Sequence, residues 1–287
     1  MQQLRDLSIR AKLLITVLGI SLVSIGVIGW TGYSGAQQSL EAEAFDKLSS
    51  TQAAKTSDLE DYFGRIRGQA LTTSARNQTI RAMRDFRSAF RDLEDRRAVS
   101  SSAGETDLRS YYEQEFLPRL TEGTGEDVAV DAYLPASPRV QYLQRQYIAT
   151  NPHPVGEKDK LLRPENARLP YDEAHETYHE DFRDLLKQFN FYDIFLVEPE
   201  NGHIVYSVFK EVDFGTSLLE GPYGESNFAD AFWKARDAES GEQVRLVDFA
   251  KYDPSYGAPA SFIASPIRDE GELVGVLVFQ TPVGEVN

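Results

Sequence analysis

Cysteine is absent from all 287 residues, which excludes disulfides, thiolate metal sites and thiol nucleophiles and leaves packing to hold the fold. Proline is missing between Ala36 and Ala98, and glycine appears there only at Gly64 and Gly68, so that stretch has few reasons to turn. Positive charge is in short supply. With a formal net charge of −15 and a pI near 4.8, the chain would repel a polyanion, which excludes nucleic acid as a partner. The sequence has no internal repeat, and its low-complexity content is limited to a short polar patch at Ser100 to Glu105. It carries no Gly-x-x-x-x-Gly-Lys-Ser/Thr loop, no Rossmann fingerprint after a strand and no Gly-x-Ser-x-Gly elbow, and none of its histidines sits in a Ser-His-Asp pattern. These absences predict a chain that is not itself an enzyme and needs no cofactor.

What is present begins with one uncharged apolar run, Leu13 to Tyr33, preceded by Arg5, Arg10 and Lys12 and followed by Glu41, Glu43 and Asp46. About twenty such residues cross a bilayer as a helix, and the basic flank is retained on the cytoplasmic side. This predicts a cytoplasmic tail at 1–12, a transmembrane helix at 13–33 and an extracytoplasmic remainder at 34–287 in the inner membrane of a Gram-negative cell. A cleaved signal peptide competes, with small residues at Ser34-Gly35-Ala36 near a cut. Its apolar region would span only about 7 to 15 residues, so an uncleaved anchor is the better reading. Gly19, Gly26, Gly29 and Gly32 would let two such helices approach closely, and a homodimer is expected.

Leu40, Phe45, Leu48, Leu59, Tyr62, Ile66 and Ala70 recur at helical spacing, which predicts a long amphipathic helix leaving the membrane. A break near Ser74 to Asn77 separates it from a second helix through Ile80, Met83, Phe86, Phe90 and Leu93, and the two form a stalk over 34–98. Over 99–170 come a helix with Tyr111, Tyr112, Phe116 and Leu120, closed by Gly123 and Gly125, and another with Val140, Leu143, Tyr147 and Ile148 that stops at Asn151-Pro152. Asn151 to Pro170 holds four prolines and mixed charge, and is expected to run over the surface.

From Tyr171 a helix carries Ala174, Tyr178, Phe182, Leu185, Leu186 and Phe189, after which the period changes. Strands are predicted at Asp193 to Glu198, His203 to Phe209, Val244 to Phe249, Ser261 to Ile267 and Leu273 to Gln280, with a helix at Phe228 to Ala238. Pro199-Glu200-Asn201-Gly202 and Asp269-Glu270-Gly271 supply turns. The fold class is α+β: a transmembrane helix, a long stalk helix, and over 171–287 a PAS-like five-stranded antiparallel sheet with helices on one face.

Tyr192-Asp193-Ile194-Phe195-Leu196-Val197, Gly202-His203-Ile204-Val205-Tyr206-Ser207 and the string from Lys210 to Leu218 resemble the extracytoplasmic, double-Cache-type sensors of bacterial methyl-accepting chemotaxis receptors and related receptor kinases and cyclases. Asp248-Phe249, Pro254 to Phe262, Gly275 to Gln280 and, upstream, Asn151 to Lys158 continue the likeness. The resemblance implies a receptor with an N-terminal span, a distal PAS-like module, a smaller proximal module, a second span and a cytoplasmic output. The last three do not occur in these 287 residues, and the chain is expected to be the N-terminal part of a longer receptor. Chemotaxis is the first choice of output, with a histidine kinase or a nucleotide cyclase behind it.

Two constellations suggest chemistry. Tyr206, Lys210, Asp213, Tyr223, Arg245, Asp248, Tyr252 and Tyr256 combine aromatic faces with charges of both signs, the mixture a pocket for a small polar metabolite requires. A carboxylate would pair with Lys210 or Arg245 and an amine with Asp213 or Asp248, so a zwitterion, organic acid or amine is expected. The second is His175-Glu176-Thr177-Tyr178-His179, an H-E-x-x-H match whose histidines share a helix face and would hold zinc in a membrane-anchored metallohydrolase. Its third ligand would have to be a residue such as Glu198 or Glu200, in a strand and a turn rather than a following helix. Exposed histidines on an amphipathic helix are therefore the better reading. A membrane-tethered binding protein without output is a third possibility.

Overall fold

The computed structural model describes residues 8–94, 102–165, 167–238 and 244–282. Most of the expected tail, the end of the expected stalk at 95–98, the start of the polar patch at Ser100 and the last residues of the expected sensor module lie outside them. Two compact units divide between Tyr62 and Phe63.

The first unit holds the greater part of α1, Ile9–Ser74. Among the described residues this is the one helix long and apolar enough to cross a membrane. Its apolar stretch is exposed throughout, from Leu13 at 62% to Tyr33 at 71%. Thr16, Ser21 and Thr31 return their hydroxyls to backbone carbonyls of the preceding turn, which satisfies polar groups within the helix itself.

The second unit is built around a five-stranded antiparallel sheet in the order β2-β1-β5-β4-β3, the PAS-like arrangement. The strands are β1 (Asp193–Val197), β2 (Ile204–Ser207), β3 (Arg245–Lys251), β4 (Pro259–Asp269) and β5 (Glu272–Thr281). Gly202 at φ 66° makes the first hairpin turn, and Glu270 and Gly271 at φ 50° and 91° make the last. In both places a left-handed backbone reverses the chain within a few residues.

Helices cover both faces of this sheet, not the one face expected. Its central strands are continuous apolar runs, Ile194 to Val197 and Val276 to Phe279, with no polar alternation to turn toward water. One face carries α2 (Asn77–Asp92) and α6 (Pro170–Phe189), with Met83 against Gly275 and Phe86 against Tyr206 at 4.7 Å between ring centroids. The last turns of α1 join this face through buried Ile66 and Ala70 and a 2.8 Å bond between the Ser74 and Ser265 hydroxyls. The other face packs Phe195, Val197, Phe262, Val276 and Val278 against α7 (Asn227–Arg236) and against Tyr112, Phe116 and Leu120. Tyr112 and Phe116 lie in a π-helical turn, Tyr112–Phe116, that follows α3 (Ser102–Tyr111), and Leu120 lies in α4 (Leu117–Thr124), which ends on Gly125 at φ 76°.

The segment after α5 (Pro138–Gln144) and its π-helical extension Arg145–Ala149 departs from the expected surface loop. Asn151, Lys158, Asp159, Leu161 and Ala167 are all buried. The Asn151 amide donates to the Tyr147 and Lys158 carbonyls, and Arg183 of α6 binds Asp159 at 2.8 Å. The prolines shape the segment, but local side-chain bonds and α6 fold it inward.

Candidate functional site

The sequence from Ser207 to Thr216 is a succession of turns, and each is set by a named bond. Asp193, fully buried at the start of β1, accepts Ser207 Oγ at 2.7 Å and the backbone N–H of Val208 and Phe209 at 2.9 and 3.1 Å. Lys210 follows at φ 63° and Gly215 at φ 83°, and Thr216 closes onto the Asp213 carbonyl through its N–H and hydroxyl at 2.9 and 2.7 Å. From the other side Gln144 donates to the Val212 and Phe214 carbonyls at 2.7 and 2.8 Å while accepting the Tyr112 hydroxyl at 2.8 Å. The carbonyls on either side of Asp213 are thereby fixed.

Asp213 is fully buried, and its Oδ2 accepts the Tyr252 hydroxyl at 2.7 Å. Its Oδ1 has no partner, nor does the hydroxyl of Tyr223, which is 3% exposed. Tyr223 and Tyr252 face each other at 6.1 Å, Tyr133 covers Tyr223 at 6.2 Å, and Phe116 packs on Tyr133 at 5.3 Å. Tyr133 is half-buried, and its hydroxyl donates to Asp253 at 2.6 Å. Burial pushes the Asp213 carboxyl up to about 7, with the Tyr252 hydrogen bond opposing that shift and Asp193 adding to it. Glu211 keeps some exposure, yet burial, reinforced by Asp213, holds its carboxyl well above the usual range; the Tyr192 hydroxyl donates to it at 2.8 Å. Lys158 lies nearby over the Tyr111 ring at 4.9 Å, donates to the Ile148 carbonyl at 2.7 Å, and is brought down by burial to about 8.

Of the residues singled out in the sequence, Asp213, Tyr223 and Tyr252 come together here. Tyr256, at φ 57° in the turn after β3, is half-buried at 6.1 Å from Phe116, along the same seam. Tyr206 and Lys210 belong instead to the face covered by α6. The Lys210 ammonium donates to the Ser207 carbonyl and lies over the Tyr206 and Phe214 rings at 4.5 and 5.3 Å. Burial brings it down to about 7 against the pull of Asp193. Arg245 and Asp248 are on the outermost strand β3. Arg245 is half-buried and reaches the Lys234 carbonyl at 3.4 Å, and Asp248 is exposed. The sequence reading missed Tyr112, Gln144, Glu211 and Tyr133. Gln144 alone left a local trace, a polar residue inside the apolar stripe Val140, Leu143, Tyr147.

The H-E-x-x-H histidines are buried, at 0% for His175 and 1% for His179, not exposed as expected. The buried stripe of α6 runs through His175, His179, Phe182 and Leu186, and Tyr178 sits at its edge with its hydroxyl on Asp85 at 2.6 Å. His175 Nδ1 meets the Leu162 carbonyl at 2.7 Å; His179 Nε2 meets the Asp159 carbonyl at 2.7 Å and its Nδ1 the Tyr206 hydroxyl at 2.8 Å. The pair thus ties the 158–162 segment to α6. Burial lowers both, His179 to about 3. Glu198 caps the first hairpin turn through the N–H groups of Glu200 and Asn201, and Glu200 pairs with Arg91 at 3.2 Å. Among the described residues no group of three or more histidine, aspartate or glutamate side chains is arranged to hold a metal ion.

No protein family and no curated protein matches this chain. Among solved structures, the sensor domain of the V. cholerae histidine kinase DctB is similar over 61% of this chain and 56% of its own length, at 14% identity and a TM-score of 0.30. A likeness that distant says nothing about ligand or output.

Proposed function

We propose that this chain is the ligand-sensing part of a membrane-anchored receptor whose sheet module lies outside the cytoplasm. One observation carries this reading. A single helix, α1, supplies an exposed apolar stretch of bilayer length and, in its last turns, Ile66, Ala70 and Ser74 to the packing of the sheet module. A ligand that favours one packing of that module would bias those turns, and a coupling of about 1 to 3 kcal/mol is enough for a receptor. The seam around Asp213, where buried polar atoms stand without partners, is the ligand site in this reading. The Cache resemblance of the sequence favours a methyl-accepting chemotaxis receptor, acting as a homodimer. In this assignment the chain binds and transmits; it does not catalyse.

The test is a melting-temperature screen of the full chain in detergent micelles against amino acids, organic acids and amines at millimolar concentration. Because a ligand selective for the folded state raises its melting temperature, at least one compound is expected to do so saturably. Silence across all three classes would sink the sensor reading. Protease treatment of intact spheroplasts tests the orientation, and protection of Tyr192 to Gln280 would contradict it.

A further inference from the structure

The two unpartnered atoms in the aromatic seam are of a kind that a folded interior rarely leaves alone. Asp213 Oδ1 and the Tyr223 hydroxyl are both buried, the Asp213 charge acts on Tyr223, and neither atom has a partner at full hydrogen-bond geometry within the protein, although the backbone N–H groups of Asp213 and Phe214 also act on the carboxyl. A carboxylate oxygen only accepts, and a phenol oxygen can accept, so a group that donates twice satisfies both. We propose that this group is the ammonium head of a small alkylamine, held by Asp213 Oδ1 and the Tyr223 oxygen inside a wall of tyrosine rings. The assignment rests on the sensor reading above and names the ligand class of that site.

Three features favour a cation over an anion or an amino acid. Asp213 and Asp193 both act on Glu211, and Asp193 acts on Asp213, so carboxyls gather along the seam. The buried bases are committed elsewhere: the Lys210 ammonium to the Ser207 carbonyl and the Tyr206 and Phe214 rings, the Lys158 ammonium to the Ile148 carbonyl. A ligand carboxylate entering here would find no free base among the described residues of the seam and be left unpaired. Finally, Tyr133, Tyr223 and Tyr252 pack in succession beside Asp213, and aromatic rings attract an ammonium and not a carboxylate.

The seam is closed in this structure, with Tyr133 as its outermost ring, pinned by its bond to Asp253. A groove of about 470 Å³ is walled by Ala132 and Leu134, which flank Tyr133 in the chain, and by Pro222, which precedes Tyr223. Entry of a ligand requires Tyr133 to leave its bond with Asp253.

The experiment titrates the full chain in detergent micelles with methylammonium, n-butylammonium and tetramethylammonium chloride, sodium succinate and alanine, at matched ionic strength. Melting temperature and calorimetric affinity are read together. Methylammonium or n-butylammonium is expected to raise the melting temperature saturably, and tetramethylammonium, which has no N–H to donate, at least tenfold more weakly. Asp213→Asn should abolish the shift and Tyr223→Phe should weaken binding several-fold, with a cooperative melt retained. If Asp213→Asn does not melt cooperatively, Tyr223→Phe decides, and unchanged amine affinity in that variant overturns the assignment. A shift with succinate or alanine and none with the amines overturns the cation while leaving the sensor standing. No shift with any of the five means that water alone fills the seam, and the cation assignment falls; the sensor falls only if the broader screen is silent too.

Discussion

At the scale of single residues, Asp213 combines a structural cost with a functional opportunity. Its carboxyl is raised from 3.8 to about 7 by burial, so the folded state holds the proton more tightly than the unfolded chain does. The consequence for stability has a definite sign: this residue's contribution is greatest below about pH 4 and falls as pH rises toward 7. Asp213→Asn should therefore gain on the wild type across that window, by on the order of 4 kcal/mol at neutral pH, as measured by chemical denaturation at fixed pH values. Glu211 and Asp193 are shifted in the same direction and remain in the variant, and because Asp213 itself raises Glu211, the difference between the two proteins reads Asp213 together with its effect on Glu211. His175 and His179 act oppositely. Their lowered values mean that stability present above pH 6.5 is lost as pH falls toward 3, and His179→Gln should flatten the acid limb of the curve. Gln144→Leu removes three buried hydrogen bonds and leaves the Tyr112 hydroxyl and the Val212 carbonyl only their long 3.5 Å contact with each other, which should cost about 2 to 4 kcal/mol in the same assay.

The same residues mark what a sequence can reveal about a site. Asp213, Tyr223 and Tyr252 were identifiable because a carboxyl and tyrosines in turn-rich sequence are chemically conspicuous. Lys210 was equally conspicuous, yet its side chain enters the opposite face, because the left-handed turn at φ 63° redirects the chain after β2. Tyr112 and Gln144 meet the site only through contacts about 70 to 100 positions away in the chain, between Tyr112 or Gln144 and Val212 or Phe214. No local pattern encodes such a distance.

At the scale of elements, helix periodicity and turn chemistry were legible and the faces were not. The break at Ala75 and Arg76, the helix closed by Gly125 and both hairpin turns stand where proline, glycine and apolar spacing put them. The histidine stripe of α6 was misread because leucine, phenylalanine and tyrosine define a face equally well when it is rotated by one residue. Which rotation is buried depends on what packs against it, here the 158–162 segment and Tyr206. Contact between elements also fixes a glycine. A Cβ on Gly123 of α4 would stand 1.9 Å from the backbone oxygen of Tyr256, and backbone cannot rotate away as a side chain can. Gly123→Ala should therefore cost about 2 to 4 kcal/mol and loosen the seam it helps to wall, measured as a lower melting temperature. Gly125→Ala, where a Cβ meets open space but the backbone is left-handed, should cost only about 1 kcal/mol.

At the scale of the whole molecule, the exposed stretch from Leu13 to Tyr33 decides how the chain partitions. Deleting residues 8–33 should move the protein from the membrane pellet to the soluble fraction after ultracentrifugation of cell lysates. Intact-mass measurement of the membrane-bound full chain should find an N-terminus upstream of Ser34, as an uncleaved anchor requires. A mature N-terminus at or after Ser34 would replace the anchor with a signal peptide.

The amino-acid sequence by itself determined the apolar span, the helices, the five strands and the turns between them, because these depend on spacing, backbone freedom and burial within a few neighbouring residues. The tertiary structure alone decided that both faces of the sheet are covered, that the α6 histidines clamp a folded-in segment, and that Asp213 and Tyr223 both come against Tyr252 with polar atoms unpartnered. Burial and electrostatics at a point sum over groups brought close from distant parts of the chain, and only the folded chain sets those distances.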